Sequence, residues 1–254
     1  MNTAEKLNPI VSLLELIGGL VELPEPLPQE LDVKITGVQM DSRLLVTGDL
    51  FIACFGRNHD ARDYIDQAIE LGCVAVLAES GGGWQGIRIH RGIAIVAIDG
   101  LSAKISEIAA RFYSNPSSML SVFGITGTNG KTSCSQFIAQ ALTALGYKCG
   151  VMGTLGYGIC GELKETQLTT PDAVFTQMAL AEMVVDRIDP VVTEVSSVGL
   201  HQKRVNAVHF DTAIFTNLTR DHLDYHESMQ DYAENKKKLF LVERLRSAII
   251  NLDD

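Results

Sequence analysis

The sequence has no paired cysteines and no long apolar run. Its five cysteines are scattered and include no C-x-x-C pair. We therefore expect free thiols in a reducing compartment and not a disulfide framework. The first apolar run, IVSLLELIGGLV, is interrupted by Glu15 and is too short to span a membrane. It also lacks the basic leader of a secretory signal, so we expect an amphipathic helix in a cytoplasmic protein.

The sequence also has no excess of basic residues. It contains 31 acidic and 21 basic residues, which gives a net charge of −10. An acidic chain is a poor candidate for binding the phosphate backbone of nucleic acids. It can still bind a nucleotide, because a phosphate site needs only local backbone amides and one or two cations. No internal repeat and no low-complexity tract is present.

The pattern of elements predicts two α/β domains. In the first half, loops rich in proline or glycine separate the β-like runs GDLFIACF and CVAVLAE from helical segments. One of these segments, LSAKISEIAARFY, places Ile105, Ile108, Ala109 and Phe112 on one face. We place a small N-terminal α/β domain at residues 1–115 and a second domain at 116–254.

The second domain alternates strands with helices. The strand-like runs are 120–126, 190–197, 211–219 and 247–254. A helix over 132–145 is expected to bury Phe137, Ile138, Ala141, Leu142 and Leu145. Such alternation predicts a doubly wound parallel sheet, in which ligands bind at the carboxyl ends of the strands.

The stretch VFGITGTNGKTSCSQ has the features of a phosphate-binding loop. It departs from the common G-x-x-x-x-G-K-[ST] pattern, because Ile125 stands where the first glycine belongs. Gly127 and Gly130 nevertheless provide a permissive backbone between a strand and a helix. Lys131 can reach the outer phosphates of a nucleotide, and the Thr132 hydroxyl can bind Mg²⁺. The alternative is an ordinary strand–turn–helix connection that contains G-K-T.

An acidic residue at the end of a neighbouring strand would complete such a site. Glu194 lies in VVTEVSS, where a carboxylate among valines is costly unless it is paired or bound to a metal. A position facing solvent at the edge of the sheet is the alternative.

The segment TNLTRDHLDYH follows the next strand and brings several polar side chains to the same end of the sheet. His222, with Asp221 and Asp224, is a candidate neighbour of the metal or the phosphates. His226 is interpreted as a capping or surface residue. Three consecutive lysines follow on a helix, where such a run usually faces solvent, so the pattern alone does not single out Lys236.

Several motifs together resemble the Mur ligase family of peptidoglycan synthesis. They are GITGTNGKTS, TTPDA, EVSSVGL, NLTRDHLDYH and YAENK, in this order, preceded by DSRLLVTGDLFIACFG. The likeness runs from about residue 35 to the end and is greatest to MurE-type ligases. Those enzymes add the third amino acid to UDP-N-acetylmuramoyl-L-alanyl-D-glutamate. The family's loop reads T-G-T-N-G-K-[TS], which accounts for the missing glycine.

The resemblance implies a UDP-sugar-binding domain, an ATP-binding domain and amide formation through an acyl phosphate. The implied ATP loop consists of Gly127, Thr128, Asn129, Gly130, Lys131, Thr132 and Ser133. The implied Mg²⁺ ligands are Thr132, Glu194 and His222. The implied catalytic residues are Lys131, Glu194, His222 and a carbamylated Lys236. The UDP-MurNAc-dipeptide would contact Met40, Ser42, Arg57, Asn58, His59, Thr169, Thr170, Ser196, Gln202 and Arg204.

The second substrate is expected to be a free amino acid, with meso-diaminopimelate favoured over L-lysine. We expect a monomer that neither binds nucleic acid nor inserts into membranes. Two departures from the family stand out: Val198 replaces a common histidine, and the family's third domain would lie beyond Asp254. We therefore expect these 254 residues alone not to form the amide bond. The alternatives are a sister ligase of the MurF type, a generic P-loop ATPase or kinase, and an inactive nucleotide-binding fragment.

Overall fold

The computed structural model describes residues 9–56, 59–166 and 168–253. It divides the chain into two compact units, Met1–Ser114 and Asn115–Asp254. Two expected substrate-binding residues, Arg57 and Asn58, lie outside the described residues. Within the described ranges, no helix is long and apolar enough to cross a membrane.

The first unit is built on a mainly parallel sheet. Its elements are β1 (Val11–Ser12), α1 (Leu13–Ile17), β2 (Lys34–Ile35), β3 (Gly37–Gln39), β4 (Asp49–Ala53), α2 (Ile65–Glu70), β5 (Ala75–Glu79), β6 (Ile87–His90), β7 (Ile93–Ile98) and α3 (Leu101–Phe112). β1 and β2 pair antiparallel, and the other strands form a sheet of order β3-β4-β5-β7-β6 in which only β6 is antiparallel.

Two helices of this unit can be compared with the helices predicted from the sequence. α3 buries the four predicted side chains, Ile105, Ile108, Ala109 and Phe112. The predicted N-terminal helix is shorter than expected, because Val11 and Ser12, the second and third residues of the apolar run, pair as β1 and the helix ends before Gly18. Gly19 then adopts a positive φ of 74°, a backbone conformation that does not continue an α-helix.

The second unit contains the larger sheet. Its elements are β8 (Val122–Thr126), α4 (Lys131–Ala144), β9 (Gly150–Gly153), β10 (Gly156–Ile159), β11 (Glu162–Lys164), α5 (Ala173–Val185), β12 (Val191–Glu194), α6 (Ser197–His201), β13 (Thr212–Phe215), α7 (Met229–Lys237) and β14 (Ser247–Ile250). The strand order is β11-β10-β9-β12-β8-β13-β14. β9, β12, β8, β13 and β14 run parallel, and β10 returns antiparallel to β9. This confirms the expected α/β class with a doubly wound parallel sheet.

Apolar clusters cover both faces of this sheet. Leu180, Phe210 and Leu239 belong to the cluster on one face, and Ile125 and Val192 belong to the cluster on the other. β8 lies between β12 and β13, so the loop that follows it opens at the middle of the sheet.

The predicted buried face of α4 is only partly correct. Phe137 and Leu145 are 69% and 74% exposed, and Ala141 is also exposed. The helix instead buries Ser135 and Ala139, with Ile138 and Leu142 packed partly beside them. Ser135 can be buried because its hydroxyl donates to Thr132 O within the helix, at 2.9 Å.

Candidate functional site

The phosphate-loop candidate connects the end of β8 to the start of α4. Gly127 has φ of +151°, and a Cβ there would collide with the Thr216 hydroxyl. Gly130 has φ of +80° and is the N-cap of α4. Both positions therefore need glycine for conformation, and Gly127 also needs it for space. The first turn of α4 directs its free backbone amides toward this loop, as an anion site requires.

The segment after β13 holds the loop in place. Thr128 N–H donates to Asn217 O at 2.8 Å, and Asn129 N–H donates to Asn217 Oδ1 at 2.9 Å. The Thr216 hydroxyl donates to Asn129 O at 2.7 Å. The backbone of the loop is thus set by a neighbouring strand end as well as by its own glycines.

Two lysines meet at one carbonyl oxygen of the loop. Lys131 Nζ and Lys236 Nζ donate to Gly127 O at 2.9 and 2.8 Å. Lys236 is only 3% exposed, and its ammonium lies 4.2 Å from the centre of the Tyr232 ring. Burial, helped by the charge of Lys131, lowers the pKa of Lys236 to about 7. Burial also lowers the pKa of Lys131, against the opposing charges of Glu194 and Asp221.

Glu194 is the last residue of β12, and it is 1% exposed. Its Oε2 accepts from the Thr132 hydroxyl at 2.8 Å and from the Thr154 hydroxyl at 3.0 Å. Its Oε1 accepts from Thr154 N–H at 3.0 Å. The carboxylate therefore lies beside the first turn of α4, bound by neutral donors.

These oxygen donors fit a magnesium ion. A carboxylate and a hydroxyl are ligands that Mg²⁺ prefers, and it commonly takes only one or two protein carboxylates, with phosphate oxygens and waters completing the shell. In the described part of the chain, no three His, Cys, Asp or Glu side chains converge as a metal cluster. The third expected ligand, His222, follows β13 at the same end of the sheet, has φ of 51°, and is about half exposed, with its Nε2 3.6 Å from Asp221.

Residues expected to hold the muramoyl-dipeptide form one hydrogen-bonded group beside Glu194. The Thr170 hydroxyl donates to Glu194 O at 3.1 Å and accepts from Ser196 N–H at 2.9 Å. Thr169 shares a 3.0 Å hydroxyl contact with Thr154. Arg204 donates to Thr170 O at 2.6 Å, and burial lowers the pKa of its guanidinium.

Gln202 joins this group from the surface. Its Oε1 accepts from Arg204 Nε at 2.9 Å, and its Nε2 donates to the Tyr225 hydroxyl at 3.1 Å. Arg204 is half-buried, so the structure does not place it as a free surface arginine.

The remaining expected substrate residues belong to the first unit. Ser42 is buried at the start of a short 3₁₀ helix, and Met40 is half-buried two residues earlier. Asp41 accepts from Arg43 N–H at 3.0 Å and so caps this turn. His59 is exposed, and its carbonyl accepts from Gly56 N–H at 3.0 Å.

Three features of the site were missed or misjudged from the sequence. His226, interpreted as a capping or surface residue, is buried, because Tyr232 and Ser197 pack around it. Thr154 has no motif to mark it, yet it binds both carboxylate oxygens of Glu194. Tyr232 could have been found from its spacing of four residues before Lys236 on one helix face.

Two family models match the chain. The model described as "Mur ligase middle domain" matches residues 125–254, which is about half of the chain. The chain belongs to the Mur ligase family. A second model, "Mur ligase family, catalytic domain", matches residues 34–113. The family resemblance drawn from the motifs is thereby confirmed.

Curated relatives extend the likeness of this Mur ligase chain across both units. It is 48% identical over 223 residues to a protein from Coxiella burnetii and 47% identical over 244 residues to one from Chromobacterium violaceum. Both are called UDP-N-acetylmuramoyl-L-alanyl-D-glutamate--2,6-diaminopimelate ligase. The matches cover 88% and 92% of the chain but 45% and 48% of the relatives, so the chain spans about half the length of these relatives.

A solved structure supports the same fold. A structure of a UDP-N-acetylmuramoyl-L-alanyl-D-glutamate--2,6-diaminopimelate ligase superposes with a TM-score of 0.78 at 31% identity. The superposition covers 97% of this Mur ligase chain and 48% of the other chain.

Proposed function

We propose that the chain contributes the UDP-sugar-binding and ATP-binding domains of an ATP-dependent ligase. This ligase would add meso-diaminopimelate to UDP-MurNAc-L-Ala-D-Glu in peptidoglycan synthesis. The observation that carries the proposal is the 48% identity to a diaminopimelate-adding ligase over 88% of the chain. The same identity favours this function over that of a MurF-type sister ligase or a generic ATPase. We place the enzyme in the cytoplasm, as a monomer that binds no nucleic acid.

ATP binding is assigned to residues 127–133. The loop amides and the N-terminus of α4 would hold the phosphates, with Lys131 turning from the loop carbonyls toward the γ-phosphate. Glu194, the Thr132 hydroxyl and His222 would hold Mg²⁺. The bound ion would neutralise phosphate charge as a Lewis acid.

The proposed reaction begins when the D-glutamate side-chain carboxylate attacks the γ-phosphate. The P–O bond to ADP breaks as the acyl phosphate forms, and the amine of the incoming amino acid then displaces inorganic phosphate. Two anions must approach each other in the first step. The cation at Lys131 and the positive helix end lower that repulsion, and no protein side chain need act as nucleophile.

Substrate positioning is assigned to the group around Thr170. Ser196, Thr169, Gln202 and Arg204 would orient the dipeptide beside Glu194. Met40, Ser42 and residues 57–59 would bind the uridine diphosphate part. Lys236, whose burial favours a neutral amine, is the proposed carbamylation site, since only a neutral amine adds CO₂.

Lys131→Ala tests the assignment of the loop. We expect ATP–Mg²⁺ binding to weaken at least about 100-fold, because the variant loses the proposed contacts of the Lys131 ammonium with phosphate oxygens. Two such charge-assisted hydrogen bonds would contribute about 1.5–3 kcal/mol each. Binding of UDP-MurNAc-L-Ala-D-Glu should stay nearly unchanged. Both affinities are measured by titration calorimetry.

Lys148→Ala is the matched control. Lys148 precedes β9 at the opposite end of the sheet, where its ammonium donates to Asp186 O at 2.6 Å. Equal ATP affinity in the parent, Lys131→Ala and Lys148→Ala would refute the loop assignment. A chain that binds ATP but whose melting temperature does not rise when UDP-MurNAc-L-Ala-D-Glu is added would instead favour a generic ATPase.

A further inference from the structure

His226 lies between α6 and α7 with its side chain fully buried. Its Nε2 is 2.9 Å from the Ser197 hydroxyl on α6, and its Nδ1 is 3.0 Å from Asp231 Oδ2 in the first turn of α7. Asn235, one turn later on α7, donates to Asp231 O and Oδ1 at 2.9 Å. One imidazole therefore joins two helices that are separate in sequence.

The partners of the ring define its protons. A carboxylate has no hydrogen to donate, so Asp231 accepts from His226, and this hydrogen bond lowers the pKa of the Asp231 carboxyl group. Nδ1 therefore carries the hydrogen, and in the neutral ring Nε2 accepts the Ser197 hydroxyl hydrogen. The order Asp–His–Ser resembles that of a hydrolase triad, but Ser197 is only 1% exposed, so no substrate can reach its hydroxyl.

Each end of this bridge continues into the candidate site. Ser197 directly follows Ser196, whose N–H donates to the Thr170 hydroxyl. On the other side, α7 carries Tyr232, whose hydroxyl is 3.1 Å from the Thr128 hydroxyl, and Lys236, which donates to Gly127 O. These contacts form a continuous path from the substrate-side group to the phosphate loop.

The backbone of His226 makes a further link. Its N–H donates to His222 O at 2.9 Å and closes the turn that carries this histidine. The ring of His226 also packs against Tyr232, with 5.2 Å between ring centres. The placement of His226 thus fixes both the start of α7 and the turn with a proposed metal ligand.

We infer that His226 is a positioning residue that couples the substrate-side helix α6 to α7 and the His222 turn, and so holds Tyr232 and Lys236 against the phosphate loop. The inference rests on the proposed function for the roles of these groups. The two hydrogen bonds of the ring end on different helices, so both are needed for this link.

His226→Phe tests the inference by keeping an aromatic ring at this position and removing both side-chain hydrogen bonds. We expect backbone amide exchange to rise roughly tenfold or more in 222–226 and Met229–Lys237. Each lost hydrogen bond of typical net strength lowers the free energy of local opening, and exchange occurs from the opened state. Exchange in β4, β5 and β7 of the first unit should not change. ATP–Mg²⁺ affinity should fall roughly tenfold, because Tyr232 and Lys236 would hold the phosphate loop less firmly when α7 loosens.

Two smaller variants separate the halves of the bridge. His226→Asn keeps a donor near Asp231 but does not reach Ser197, and His226→Gln can reach Ser197 but leaves Asp231 without its donor. Both should loosen α7 as His226→Phe does. His209→Phe is the matched control, since His209 precedes β13 at the opposite end of the sheet and should leave α7 unchanged.

The outcomes separate a positioning role from a merely structural one. A uniform rise of exchange across the second unit, or full rescue of α7 by His226→Asn, would overturn the coupling. Unchanged exchange in α7 of His226→Phe would overturn it as well. Failure of the proposed function would appear differently, as a parent chain that does not bind ATP–Mg²⁺, while the exchange result would still decide whether His226 couples the helices.

Discussion

Gly127→Ala should destabilise the second unit and abolish nucleotide binding. The φ of +151° lies in a region that residues with a Cβ rarely adopt. The added methyl group would also collide with the Thr216 hydroxyl and lie 3.1 Å from both Asn217 N and Asn217 O. Strain and collision therefore act together at this one position.

The size of the effect follows from these two terms. A sparsely populated backbone conformation costs about 1–3 kcal/mol, and overpacking a tight contact costs about another 1–3 kcal/mol. The expected loss is about 2–6 kcal/mol, a large part of the roughly 5–15 kcal/mol that stabilises a folded domain. Any relief by backbone movement shifts Gly127 O, which accepts hydrogen bonds from Lys131 and Lys236.

Two other glycines isolate the contribution of the collision. Gly130 and Gly146 have φ of +80° and +94°, and a Cβ at either would meet nothing within 4 Å. Gly130→Ala and Gly146→Ala should each cost about 1–2 kcal/mol from strain alone. Gly130→Ala should also weaken ATP binding, because Gly130 is the N-cap of α4, whereas Gly146→Ala should leave that affinity unchanged.

Urea unfolding and titration calorimetry with ATP–Mg²⁺ measure both effects. The midpoint should fall most for Gly127→Ala, with an unchanged urea dependence of the unfolding free energy. An equal loss of stability in Gly127→Ala and Gly146→Ala would show that contact with Thr216 contributes nothing. Intact ATP affinity in a folded Gly127→Ala variant would refute the proposed role of the loop.

Two further predictions concern the charged groups of the site. Burial lowers the pKa of Lys236 to about 7 in the folded chain, whereas a lysine in the unfolded chain has a pKa of ~10.4. Between these two pH values the unfolded chain binds more protons than the folded chain, so the free energy of unfolding should rise with pH. Lys236→Met should flatten this rise in urea unfolding, and identical slopes in variant and parent would contradict the buried neutral amine. Glu194→Gln should change the free energy of unfolding by no more than about 1 kcal/mol, since an amide can still bond the Thr132 and Thr154 hydroxyls. It should reduce the gain in ATP affinity on adding Mg²⁺, and calorimetry showing the full Mg²⁺ effect would exclude Glu194 as a ligand.

The sequence by itself determined the features that depend on local pattern. The alternation of strands and helices indicated the parallel sheet, because periods of two and 3.6 residues are read within single segments. The glycines and lysine of the loop were evident for the same reason, since the turn and the start of the helix lie within a few residues of each other. The low solvent exposure of Glu194 followed from the valines on either side of it.

Only the tertiary structure decided which polar side chains are buried together. The three lysines of KKK are alike in sequence, yet Lys236 alone is buried, because it is on the α7 face directed at Gly127 O. His226 becomes a bridge only when α6 and α7 approach each other. The buried face of α4 likewise depended on which side of the helix packs against the sheet, and that side carries Ser135 and Ala139. Burial is a property of contacts between distant segments, and no local pattern encodes which neighbours a side chain will meet.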